Sequence, residues 1–177
     1  MIKKLEHYFD KLWPINRSLT GDGNRQTLKI LSEIVNINIT EVSSGTACFD
    51  WNVPPEWNVK EAWIKNSKGE KIVDFGINNL HLLGYSIPIH KTFNLDELKK
   101  NLYSLPEQPD LIPYLTSYYN ERWGFCISHN QLESLEDDEY EVFIDSSLNP
   151  KGNMTIGESY IKGNSNKEIL FSTYICH

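Results

Sequence analysis

The feature that most constrains the fold is a change of texture at residue 50. Before it, apolar residues recur at helical spacing. After it, Pro54-Pro55 punctuates the chain, and short strand-like runs follow at close intervals, bounded by Pro, Gly and Asn. Ala62-Trp63-Ile64 and Lys71 to Phe75 flank Asn66-Ser67-Lys68-Gly69, which predicts a hairpin. His81 to Ile89 reads as extended, kept from helix by Gly84 and Pro88. Asn94 with Glu97 three residues on is a capping box, so a short helix to about Leu102 is expected. Pro106, Pro109 and Pro113 hold an extended connector. Trp123 to Ser128, Tyr140 to Asp145 and Thr155 to Ile161 are expected strands, with a helical turn near Asn130 to Leu135.

The ends differ from this β-rich middle. Ile2, Leu5, Phe9 and Leu12 repeat at helical spacing until Pro14 stops them. Leu28, Leu31, Ile34 and Val35 mark a second helix from about Asn24 to Val35, with Asp22 or Asn24 as its cap. Asn38 to Val42 alternates as a strand. Ile169 to Ile175 reads as a buried strand that carries Cys176 and His177 at its tip. The pattern predicts an α/β domain interrupted by a small mostly-β insertion, with segments 1–57, 58–160 and 161–177; one continuous α+β domain is the alternative.

Of 177 residues, 40% are hydrophobic, enough to bury a real core. Seventeen Lys+Arg against 24 Asp+Glu give −7, with no basic run to neutralise phosphates, so nucleic acid is not an expected partner. Glu136-Asp137-Asp138-Glu139 reads as a solvated turn. No apolar stretch approaches the ~20 residues of a membrane-spanning helix, and the N-terminus lacks a signal-peptide core. Cys48, Cys126 and Cys176 are odd in number and far apart, which suits a reducing cytoplasm.

The loop Arg17 to Arg25 holds two glycines and many polar groups but lacks the spacing of a phosphate loop. It reads as a helix connection in which Arg17 and Arg25 either neutralise a buried carboxylate or grip a substrate carboxylate. His90-Lys91-Thr92 is a polar triplet after an apolar run. Tyr118-Tyr119 and Trp123-Gly124-Phe125-Cys126 read as core or cleft wall, and Cys126 lacks a base arrangement beyond His129. His177 stands where α/β enzymes place ligands, at the carboxyl end of a strand, but zinc needs three or four ligands.

Taken in order, Leu12 to Gly23, Ser44-Gly45-Thr46, Phe49 to Pro54, His90-Lys91-Thr92, Thr116 to Tyr119, Trp123 to Cys126, Asp145 to Leu148 and Ser172 to His177 resemble one family. It is the bacterial aminopeptidase-like proteins of unknown function found near polysaccharide biosynthesis, within the zinc exopeptidase superfamily. The resemblance runs essentially end to end. It implies a partial phosphorylase/hydrolase-like α/β domain with a small β-rich insertion, here as the N-terminal portion of a longer protein. His177 would be a zinc ligand, and the catalytic residues and further ligands would lie downstream. Arg17, Asp22, Arg25, His90, Tyr118 and Trp123 are the candidates for substrate contact. The implied parent is a cytoplasmic zinc metallo-aminopeptidase-like hydrolase of a peptide or aminoacyl-type substrate, inactive as this portion alone. The alternative is a non-catalytic member that binds a peptide or amino-sugar-like ligand in surface polysaccharide assembly. Neither implies a membrane, and oligomeric state is left open.

Overall fold

A computed structural model describes residues 2–175, a mixed α/β arrangement with several sheets. Cys176 and His177 lie outside the described residues. The elements in order are α1 (Ile2–Leu12), α2 (Asp22–Leu31), β1 (Asn38–Ser43), β2 (Ala47–Cys48), β3 (Trp51–Asn52), β4 (Glu56–Lys65) and β5 (Lys71–Asp74). After a 3-10 turn at Asn79–His81 come β6 (Ile89–Asn94), α3 (Leu95–Lys99), β7 (Leu102–Tyr103), β8 (Phe125–Cys126), α4 (His129–Glu133), β9 (Glu139–Asn149) and β10 (Asn153–Glu158). The chain divides into two compact units, one made of residues 1–56 and 149–177, the other of residues 57–148.

In the first unit, β1 and β10 form an antiparallel ribbon, with Thr40 opposite Ile156 and Val42 opposite Met154. On its other face Leu28 of α2 packs so closely against Gly157 that a Cβ there would lie 2.5 Å from Leu28 Cδ2. A two-stranded ribbon is marginal by itself, so this helix cover is what stabilises it here. The chain leaves α1 before Pro14, as expected. α2 begins two residues earlier than expected and ends at Leu31, with turns through residue 35. Its N-cap is Gly21 at φ 99°, and neither Asp22 nor Asn24 caps it. Asn24 is turned inward instead and donates from Nδ2 to the Ser18 carbonyl at 2.6 Å.

The second unit is built on a four-stranded sheet in the order β5-β4-β9-β6. β9 alternates cleanly, burying Tyr140, Val142, Ile144 and Ser146 while Glu141, Phe143 and Asp145 face outward. Ala62 and Ile64 of β4 are buried too, as are Leu83, Leu98, Phe125 and Ile127. Each buried Val, Ile, Leu or Phe among them contributes roughly 1.5–3 kcal/mol. The expected hairpin forms between β4 and β5, its turn closed by Gly69 N–H donating to Asn66 at 2.9 Å. Asn94 caps α3 by accepting from the Glu97 N–H at 2.9 Å.

Four further expectations change. Residues 159–175 contain no strand, and Ile169, Leu170, Phe171 and Tyr174 are exposed, because among the described residues no strand lies alongside to pair with them. β10 pairs with β1, so the second unit ends at Leu148 rather than near residue 160. His81 to Ile89 is a 3-10 turn and two isolated bridges; the strand starts at Ile89 and takes in His90-Lys91-Thr92. Only Phe125–Cys126 of the Trp123–Ser128 run is strand, since it pairs in parallel with just two residues of β7.

Candidate functional site

Arg25 comes from the middle of α2, and three carboxylates converge on it within the first unit. Its guanidinium reaches Glu56 with both terminal nitrogens, at 2.9 and 2.6 Å, a fork-to-fork pair. The same group donates to Asp22 at 2.7 Å and lies 3.5 Å from Glu41 through Nε. Glu56 also accepts from the Asn153 N–H at 2.8 Å, and the Thr155 hydroxyl reaches both Glu41 oxygens at 3.0 Å. Hydrogen bonding to Glu56, opposed by burial, holds the Arg25 pKa above its ordinary value. The pattern left two readings open for Arg25, and its geometry is that of a neutralised carboxylate. Asp22 shares this cluster. The Arg17 guanidinium donates to the Leu12 carbonyl and ties the loop to the end of α1.

In the second unit, the substrate candidates have separate neighbours. His90 stands on the outer face of the sheet, 2.8 Å from Glu141 and edge-on to Phe143 and Trp63. Trp123 packs against Phe93 with ring centres 5.1 Å apart. Tyr118 lies edge-on to Tyr85 at 5.4 Å, and Tyr85 stacks on Trp57 at 5.6 Å.

Around Tyr118 the backbone is held in an unusual conformation. Tyr85 and Tyr118 have φ of 63° and 42°, in the left-handed region that a bulky side chain rarely adopts. Such backbone persists only where its surroundings fix it, and it gathers at functional sites. The surroundings here are explicit. The Ser117 hydroxyl donates toward the Gly84 and Tyr85 carbonyls at 3.2 and 3.3 Å. Gly84 N–H reaches Leu115, and the Asn120 N–H closes the turn onto Ser117 at 3.0 Å. The Ser86 carbonyl accepts from both Trp57 Nε1 and the Ser146 hydroxyl. The result is a rigid turn that leaves Tyr119 58% exposed. The sequence motifs include Thr116 to Tyr119 but not Tyr85 or Ser86, for a lone Gly84-Tyr85-Ser86 in an apolar run gives no warning of a positive φ.

Cys126 is fully buried, and desolvation pushes its thiol up to about 12. A nucleophile needs the thiolate, so this residue is structural. Iodoacetamide at pH 8 should leave Cys126 unmodified in the native protein and alkylate it after unfolding, read by peptide mass mapping; native labelling of Cys126 would contradict the packing.

His81 donates from Nδ1 to the Cys126 carbonyl at 2.8 Å. Burial, only partly offset by that bond and by Asp74, lowers its pKa below the ordinary 6.5. The unfolded chain therefore binds the proton first as pH falls. Stability contributed by neutral His81 is complete above about pH 6.5 and declines as pH drops from there toward the lower folded pKa. Melts of the protein between pH 7.5 and 5.5 should show that fall, and His81→Asn should flatten it. An equal slope in the variant would assign the effect elsewhere.

Among the described residues, no group of three His, Cys, Asp or Glu side chains could hold a metal ion. His177, the expected ligand, lies outside them.

Residues 56–147, almost the span of the second unit, match a family model described as "Domain of unknown function (DUF2172)". The chain belongs to this family. It is also 52% identical over 174 residues to a Clostridium acetobutylicum protein named "Putative polysaccharide biosynthesis protein with aminopeptidase-like domain", covering 98% of this chain and 40% of that protein. A crystal structure of a "putative peptidase" from Clostridium acetobutylicum matches it with TM-score 0.87 at 52% identity, over 91% of this chain and 38% of the other. The DUF2172 chain thus spans about two fifths of the length of the curated relative it matches. No helix among its described residues is long and apolar enough to cross a membrane.

Proposed function

We propose that this DUF2172 chain is part of a zinc-dependent aminopeptidase-like hydrolase that acts on a peptide or aminoacyl-type substrate. The observation that carries the reading is the match along nearly the whole chain to a relative whose name includes an aminopeptidase-like domain, supported by the solved structure called a peptidase. In this reading the β-rich unit is an insertion in a zinc-exopeptidase domain, and its Tyr118–Tyr119 turn forms cleft wall. His177 is one ligand of the metal, and polypeptide beyond these residues completes the site. The setting is cytoplasmic, which the free thiols of Cys48 and Cys126 support. The relative's name also favours a second reading, a non-catalytic binder of a peptide or amino-sugar used in polysaccharide biosynthesis.

The test is a chimera in which this chain replaces the matching two fifths of the Clostridium acetobutylicum protein. It should bind zinc and hydrolyse aminoacyl-anilides, and His177→Ala should remove both properties. The 177-residue chain alone should bind zinc only weakly, because one imidazole cannot close the coordination shell. Tight stoichiometric zinc binding by the chain alone would sink the single-ligand assignment. A folded chimera with no turnover on any aminoacyl or peptide substrate would leave the binding reading.

A further inference from the structure

The first unit carries an amphipathic helix whose apolar stripe is exposed. Ile2, Leu5, Phe9 and Trp13 line one side of α1 and its exit at 70, 66, 64 and 58% exposure, and the helix has no buried residue. Phe9 and Trp13 stack with ring centres 5.8 Å apart, so the stripe is a continuous aromatic and aliphatic surface. The polar side is occupied: Lys11 pairs with Glu33 at 3.2 Å and sits over the Tyr8 ring. An isolated helix of this length is marginal in water, and amphipathic helices draw their stability from burying the apolar stripe. The β1–β10 ribbon has the same character. α2 covers one face; on the other Thr40 and Ile156 are exposed, and Val42 and Met154 only half-buried. Scattered apolar residues need no explanation, but a contiguous patch of this kind marks an interface.

We propose that the apolar stripe of α1 and the uncovered face of the β1–β10 ribbon dock the polypeptide that makes up the other three fifths of the full-length relatives, through aliphatic and aromatic side chains. This rests on the reading of the chain as part of a longer aminopeptidase-like protein. Length selects the occupant: 98% of this chain aligns with 40% of a protein at 52% identity, and the remainder of that protein is polypeptide available to cover these faces. A second copy is the weaker occupant, because two chains at −7 repel one another.

Hydrogen exchange read by mass spectrometry compares the 177-residue chain with the chimera described above. The α1 amides should exchange at least 100-fold more slowly in the chimera, while those of β4 and β9 change little. Phe9→Asp in the chimera should abolish the added protection of α1. If the chimera fails to fold, this chain is mixed with the separately expressed remainder of the relative, and a 1:1 complex in sedimentation, weakened at least 100-fold by Phe9→Asp, is the expected result. Unchanged α1 exchange, no complex, or a homodimer of this chain that itself protects α1 would overturn the proposal. Protection without hydrolysis leaves the docking standing and removes the enzyme reading, and turnover with α1 unprotected does the reverse.

Discussion

Gly23→Ala should destabilise the first unit by about 3 kcal/mol or more. In an exposed helix interior, Gly to Ala is normally favourable by up to about 1 kcal/mol, because alanine has less backbone freedom to lose. Position 23 reverses that sign. It lies in the first turn of α2, where the loop from Trp13 to Gly21 doubles back against the helix. A Cβ there would overlap the Asn16 carbonyl oxygen, with the Asn16 carbonyl carbon at 3.0 Å and Ile15 Cγ2 at 3.3 Å. The obstructing atoms are backbone, so no rotamer change relieves them, and the loop must move away from the helix. Urea unfolding followed by tryptophan fluorescence should show the loss, with near-wild-type hydrogen exchange retained in β4 and β9. A variant as stable as the parent would mean the loop yields freely.

Arg25→Met ranks next, at about 3 kcal/mol. It leaves Glu56, only 12% exposed at its side chain, without the guanidinium that binds both of its oxygens. Removing one partner of such a pair costs more than the pair contributes, because the other charge stays desolvated. The diagnostic is therefore the double variant: Arg25→Met with Glu56→Leu should recover more than half of the loss in the same unfolding assay. Additive losses in the double variant would show that Arg25 stabilises through packing of its stem rather than through charge.

Local signals carried much of the fold. The Pro14 stop, the Asn66–Gly69 turn and the Asn94 cap are each decided by neighbours within four residues, and each appears as expected. Long-range pairing was not legible. Ile169 to Ile175 has the composition of a buried strand, but composition cannot supply the adjacent strand it would need. Thr155 to Ile161 follows the middle strands closely in sequence, whereas its β10 core pairs with residues 38–43. The same limit applied to the candidate site. The sequence marks Arg25 as a cation that neutralises or grips a carboxylate without naming which, because its partner Glu56 lies 31 positions on, just past Pro54-Pro55. Tyr85 is hidden for a different reason: its positive φ is held by hydrogen bonds between residues 115–117 and Gly84 and by the Ser117 hydroxyl on its own carbonyl.

The pairing of β1 with β10 has a consequence for the order of folding. Thr155 and Glu41 meet across 114 positions of chain, a costly loop to close from a disordered state. The segment between them is mostly the second unit, whose first and last strands, β4 and β9, are neighbours in one sheet. Once that sheet has formed, it brings residues 56 and 149 together and leaves about a fifth of the loop to be closed, easing the step by roughly 1.4 kcal/mol. The middle of the chain thus acts as a kinetic clip: refolding should show protection in β4 and β9 before it appears in β1 and β10.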